Sequence, residues 1–337
     1  MNIRIMRKFI SIILFLISSQ VLSSQEIPLI DAHSQIDCNM KSEYLVNRLK
    51  ELNISKSLIS TRWGKCKGNA SSLEKELLQL SQENPDVIGA LLSMKIDGMG
   101  QQILKPDVLE KLNSRSQQRR FTGLGELLIQ HAPHNHKQLN YSGLNINLDD
   151  ERVLFAIDLA KKMKFPLVLH IELGDNLDAR DKTLNDLNEL LSENRDVNFI
   201  LIHIGQADRE TAATLIKNHS NIYFIPSHSD PITKKKIKKR IERGEKAQSG
   251  WVNLFKRKCF EGECTYWWRK GWKDLVINNP DRFILGFDNV FINHWGSQFE
   301  KKVNMWRELL EQIPNEVAHQ IAHKNAERLW NLKPIIE

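Results

Sequence analysis

From residue 27 onward the chain repeats one pattern. A short continuous run of Ile, Val, Leu and Phe is followed by a longer stretch in which apolar residues recur three and four positions apart. Runs that are apolar on both faces suit parallel strands covered by helices, and the longer period is that of a helix with one buried face. The pattern predicts strands at Ile27 to Asp31, Ser57 to Thr61, Val87 to Met94, Phe121 to Ile129, Leu167 to Ile171, Phe199 to Ile204, Ile222 to Ile225 and Phe283 to Phe287. Helices are expected between them, among others at Glu43 to Leu52, Ser72 to Gln82, Asp149 to Met163 and Leu184 to Glu193, with Asp149 as the cap of its helix. Eight strands in alternation with helices close most economically into a (β/α)₈ barrel. An open doubly wound sheet is the rival, but no G-x-G-x-x-G follows the first strand.

One interruption breaks the rhythm, from residue 227 to 280, between the seventh and eighth strands. It carries the run Lys234 to Arg243 and then Trp251, Phe255, Phe260, Tyr266, Trp267, Trp268 and Trp272. Such an insertion is either a lid over a binding site or an element with an aromatic core of its own.

Composition narrows the class. The 337 residues are 41% hydrophobic and 26% charged, which excludes disordered and multi-span membrane chains. The only long apolar run lies within residues 1–24, after Arg4, Arg7 and Lys8 and before Val21, Leu22, Ser23 and Ser24. That is the build of a secretory signal peptide, with an uncleaved N-terminal anchor as the alternative; the signal peptide implies export to the periplasm and no stable membrane association after cleavage. Residues 25–337 then form a single domain. Removing three basic and no acidic residues takes the net charge from +7 to +4. The Lys234 to Arg243 run reads as a solvated helix face, with no motif for nucleic acid beside it. Four cysteines do not make a disulfide scaffold, although Cys259 and Cys264 could close a small loop around Gly262, and Cys38 and Cys66 could pair if the fold allows.

The chemistry collects where the strands end, which in such a barrel is one rim. The first strand runs into Asp31-Ala32-His33-Ser34-Gln35, where alternation turns His33 and Gln35 the same way. The fourth carries Glu126, the fifth ends in His170 with Glu172 two residues on, the sixth ends in His203, and the eighth ends in Asp288. Imidazoles with a carboxylate are the ligand types of Zn²⁺ or a similar ion, which lowers the pKa of bound water toward neutrality.

These residues resemble the amidohydrolase superfamily, closest to its amidohydrolase-related branch of metal-dependent hydrolases and decarboxylases. The motifs are D-A-H-S-Q, L-H-I, L-I-H-I-G and G-F-D at strands one, five, six and eight, with the closing segment H-K-N-A-E-R-L-W-N-L from His323. The resemblance implies His33, Gln35, His170 and Asp288 as metal ligands, with Asp288 as general base and His203 either as a second-metal ligand or as a proton shuttle. One Zn²⁺, or Mn²⁺ in its place, is the implied cofactor. The family's usual signature at strand one is His-x-His, and here Gln35 stands for the second histidine; an amide oxygen is a weaker ligand than imidazole.

Arg62, Glu126, Glu172 and His131 are the candidates for substrate contacts. Arg62 suits a small anionic substrate, and His131, with His134 and His136, could instead complete the metal site. The reading is a hydrolase acting on an amide, ester or lactone bond of a small molecule. Its rivals are a metal-assisted decarboxylase and a non-catalytic barrel that only binds ligand.

Overall fold

The computed structural model describes residues 26–37, 40–61, 70–94, 110, 113–114, 121–136, 139–141, 143–174, 180–244 and 252–336. The proposed signal peptide, Arg62, Trp251, Cys38 and Cys66 lie outside them.

The apolar runs are parallel strands, buried along almost their whole length. The first, Leu29–Ile36, pairs with the second, Ile54–Thr61, and the second with the third, Ile88–Leu92. The fourth is split into Gly123–Leu124, on the third strand, and Glu126–Leu128, on the fifth, Leu167–His170. Gly125 sits at the split because a side chain there would meet the Leu92 carbonyl oxygen and Ser60 Cβ, each at 3.1 Å. The order continues through Phe199–Ile202 to Ile222–Ile225.

Residues 283–289 fill the eighth position and join the seventh strand to the first, but not as a regular ladder. The Ile284 amide donates to Phe224 O, Ala32 to Leu285 O, Asp288 to His33 O and Gln35 to Asn289 O, at 2.7–3.0 Å. Two further amides leave the ladder: Leu285 donates to Ile321 O, and Phe287 to the Asp31 carboxylate. The barrel is closed, and its closing strand is also tied to a helix and to a buried side chain.

Two apolar clusters follow from the alternation of side chains. One lies between strands and helices. The other fills the barrel with Ile30, Ala32, Leu58, Leu91, Val168, Ile200, Ile202, Tyr223, Ile225 and Ile284, and it includes Ala326, Leu329 and Trp330 from the end of the chain. These last residues plug one end, and Trp330 lies so close over Gly123 that a Cβ there would be 2.6 Å from its ring.

The helices stand where the periodicity places them, with shifted ends. The helix expected from Asp149 is Glu151–Met163, and its cap is Asp150, whose carboxylate accepts from the Arg152 amide. Asp150 also holds the Arg152 guanidinium through both oxygens.

The insertion after the seventh strand resolves into three parts. The basic run forms helix Pro231–Glu242, which buries no residue, as a solvated face should. An antiparallel hairpin, Phe255–Phe260 with Glu263–Trp268, is closed by a Cys259–Cys264 disulfide, and helix Lys270–Asn278 follows. Its aromatic residues are mostly core. Phe255 and Trp268 stand edge to face at 4.8 Å, both pack on Trp306 of helix Ser297–Leu310, and Trp268 Nε1 donates to Leu309 O. Phe260 is the exception, 73% exposed at the tip. Among the described residues no helix is long and apolar enough to cross a membrane.

Candidate metal centre

Three residues at the ends of strands six, seven and eight share an uncommon backbone. His203, His228 and Asp288 have φ of 55°, 58° and 49°, in the left-handed region. At His203 the conformation extends over Ile204, Gly205 and Gln206, so a whole left-handed turn follows strand six. Each non-glycine residue there costs about 1–2 kcal/mol, and such strain gathers where surrounding packing fixes a functional side chain.

The three side chains converge. Asp288 Oδ2 lies 3.5 Å from His203 Nε2 and 3.3 Å from His228 Nδ1, while Oδ1 lies 3.4 Å from His33 Nε2. One ligand atom from each of His203, His228 and Asp288 falls within 4.8 Å of the others. The His203 ring is set by its far side, where Nδ1 donates to Ser227 O at 2.9 Å, turning Nε2 toward Asp288. His203 and His228 are stacked, 5.0 Å apart and 8° from parallel.

Protonation suits a cation. Burial pushes His203 down to about 4 against the opposing pull of Asp288, and holds His228 well below its ordinary value, so both rings are neutral near pH 7. Burial would raise Asp288, but His228, His33 and His203 around it hold it well below the usual carboxylate range. Two neutral imidazoles and one carboxylate are a fitting donor set for a divalent ion.

A second group lies beside the first. His170 Nδ1 meets Glu126 Oε1 at 2.5 Å and its Nε2 meets Glu172 Oε1 at 2.9 Å. Glu126 Oε2 accepts from Gln35 Nε2 at 3.0 Å and lies 4.0 Å from His33 Nε2. Glu172 Oε2 accepts from the Ala132 amide at 2.6 Å, and His131 Nε2 lies 3.9 Å from Glu172 Oε1. The rings of His131, His170, His203 and His228 thus form a row, with centroids 5.1, 5.0 and 5.0 Å apart.

His33, Gln35, Glu126, His131, His170, Glu172, His203 and Asp288 therefore meet at one rim; Arg62 lies outside the described residues, and His134 and His136 belong to a short strand, His134–His136, paired with Leu139–Tyr141. Within that rim the fold sorts them. His33 joins Asp288 and His203, whereas Gln35 and His170 are turned to Glu126. His228 was not singled out. Its signal was its place, two residues after Pro226 at the end of the seventh strand, a rim position like the other three.

The His170 arrangement carries a pH dependence. Burial disfavours its charge, but the hydrogen bonds and charges of Glu126 and Glu172 outweigh burial and raise it to about 9. A folded value above the free 6.5 means a contribution fully present below pH 6.5 and lost as pH rises through 9, about 3 kcal/mol in all. Chelator-treated protein is expected to be less resistant to urea at pH 9.5 than at pH 6, with the difference much reduced in His170→Gln. Equal pH dependence in the two proteins would show that His170 does not carry it.

Comparison with known proteins gives three results. The sequence profile of the amidohydrolase family matches residues 106–332. No curated protein matches the sequence. Among solved structures, an amidohydrolase II is 13% identical with a TM-score of 0.53, covering 90% of this chain and 100% of that one. Dihydroorotase from Saccharomyces cerevisiae, solved with 5-fluoroorotic acid, is 12% identical with a TM-score of 0.55, covering 91% and 84%. The 4-oxalomesaconate hydratase of Rhodopseudomonas palustris is 12% identical with a TM-score of 0.52, covering 90% and 96%. At such identities the likeness establishes the TIM-barrel fold.

Proposed function

Because the chain belongs to the amidohydrolase family, we propose that it is a metal-dependent hydrolase of an amide, ester or lactone bond in a small molecule, its ion held by His203, His228 and Asp288. The observation that carries this reading is the convergence of these three side chains from three consecutive strand ends, each on a left-handed backbone. Nitrogen and carboxylate donors suit Zn²⁺ best, with Mn²⁺ as the alternative. When bound, the ion supplies a Lewis acid for a carbonyl oxygen and acidifies water.

The chain's own residues divide the remaining work. Asp288 presents Oδ2 to the two histidines and Oδ1 to His33. Oδ1 is placed to take the proton of an attacking water, and the adjacent His33 Nε2 keeps that carboxylate edge in position. His203 cannot turn, because Ser227 O holds its Nδ1, so its Nε2 stays fixed at the reacting centre. The basic, apolar and small-residue order of residues 1–24 supports a place of action outside the cytoplasm.

The test is a screen of lactones, amides and carboxylated aromatic compounds with metal-loaded protein, following both acid production and CO₂. Hydrolysis products without CO₂ support the reading. CO₂ release would replace it with decarboxylation, and a protein that holds no ion and turns over none of these would remove it.

A further inference from the structure

Apart from the Asp288 centre, three of the described side chains bury polar atoms that have no hydrogen-bond partner. Trp330, with Nε1 unpaired, lies at the plugged end of the barrel. The other two are amides at the rim: Asn289, beside Asp288, with Nδ2 unpaired, and Gln206, three residues beyond His203, with both Oε1 and Nε2 unpaired. Gln206 carries two costs at once. It is 2% exposed, so bulk water does not replace the missing partners, and its φ is 53°, a conformation that glycine adopts without penalty and glutamine does not.

The turn that carries Gln206 is fixed on both sides. His203 is held by Ser227 O beyond strand seven, and the Leu173 amide, next to Glu172 beyond strand five, donates to Gly205 O at 3.0 Å. Packing alone gives no reason for an amide on so rigid a seat, since methionine fills a similar volume and leaves no such donor or acceptor unmet. Unmet buried groups on strained backbone gather where a ligand meets them. The amide also names its complement. Its donor and acceptor stand side by side, so one planar unit that offers the reverse, a carbonyl with an N–H cis to it, satisfies both. A lactone, an ester or a carboxylate offers acceptors only and leaves Oε1 unmet.

We propose that Gln206 is a specificity-determining residue that pairs, through both atoms of its amide, with a cis –CO–NH– unit of the substrate, as found in an imide, a ureide or a primary carboxamide. The carbonyl under attack is a different one, because in the proposed reaction its oxygen belongs to the Asp288 centre. The substrate therefore carries a second carbonyl, placed beside the bond that breaks. Recognition of this kind narrows the substrate class of the proposed function, and it rests on that reading in taking the rim as a substrate site.

The test compares two probes and two variants. Glutarimide, which carries the unit, and N-methylglutarimide, which keeps both carbonyls and lacks the N–H, are titrated by NMR into full-length, metal-loaded protein, alongside Gln206→Met and Gln206→Gly. The parent is expected to bind glutarimide at least about 10-fold tighter than its N-methyl form, because the latter leaves a buried amide oxygen unmet. That preference should collapse in both variants. Urea titration separates recognition from a structural role: Gln206→Met, which keeps the bulk and removes both unmet atoms, is expected to resist urea at least as well as the parent. If methionine fits the turn badly, Gln206→Gly, which suits its backbone, carries the binding test. Loss of urea resistance in both variants would show that the amide holds the turn together and overturns the proposal. A preference that survives in the variants overturns it, as does a parent with no preference or no binding of either probe. Where the parent shows no preference yet hydrolyses lactones or esters, the proposed function stands without this recognition. Where the preference is present in a protein that turns over nothing, the recognition is supported and the proposed reaction is removed.

Discussion

Asp288→Asn is expected to release the ion of the Asp288 centre and to lower turnover by at least about 10³-fold, within the range set by the loss of a positioned general base alone. The substitution preserves volume and removes the charge around which His33, His203 and His228 are gathered. An amide oxygen is neutral and a poor ligand, and it cannot accept the water's proton at neutral pH. Both losses therefore come from one atom exchange. Metal analysis together with turnover of whichever compound the screen yields checks it. Retained metal and near-parental turnover would show that Asp288 is neither ligand nor base.

Asp31→Ala is expected to have the largest effect on stability, a loss of at least about 4 kcal/mol at pH 7. The Asp31 carboxylate is buried and accepts from four donors: the His33 amide, Ser34 Oγ, Ser57 Oγ and the Phe287 amide, at 3.3, 2.5, 2.9 and 2.9 Å. Those donors belong to strands one, two and eight, so one side chain ties the barrel's closing seam. Each buried donor left without an acceptor costs about 1–3 kcal/mol, and the hydroxyls can turn elsewhere more readily than the amides. Burial raises Asp31 to about 6 against the pull of Ser34, Phe287 and Ser57. A raised carboxyl stabilises fully below 3.8 and loses that contribution as pH rises through 6. Asp31→Asn, which keeps an acceptor and carries no buried charge, should therefore cost much less than Asp31→Ala at pH 7. Urea titrations of the three proteins decide it, and an alanine variant within 1 kcal/mol of the parent would show that the seam holds without the carboxylate.

The barrel was legible because each of its strands is covered on both sides, which forces continuous apolar runs that sequence displays directly. Residues 283–287 read as a strand like the others, yet two amides there are spent on Ile321 and Asp31. Those partners lie on other elements, and no local pattern announces them. The aromatic residues of the insertion were legible as a group but not in their role, because Trp306, on which they pack, lies outside the insertion. At the rim, the C-terminal positions of the strands named His33, Gln35, Glu126, His170, Glu172, His203 and Asp288. Residue type and place could not show that Gln35 and His170 turn to Glu126. Nor could they show the left-handed backbone that swings His228 into line with Asp288, since tertiary packing imposes that conformation against local preference.

The closing seam also governs when this protein can exist at all. Ala32 bonds to Leu285 and Gln35 to Asn289, and the interior is completed only by Ala326, Leu329 and Trp330. Contacts between such distant parts of a chain form late and slowly. While strands one to seven pair side by side, the first and seventh keep bare edges until residues 283–289 dock between them. Such edges recruit other chains. Assembly is thus a race between the last fifty residues and aggregation. Since Asp288 lies in that final portion, the cluster it forms with His203 and His228 cannot assemble before the seam has closed.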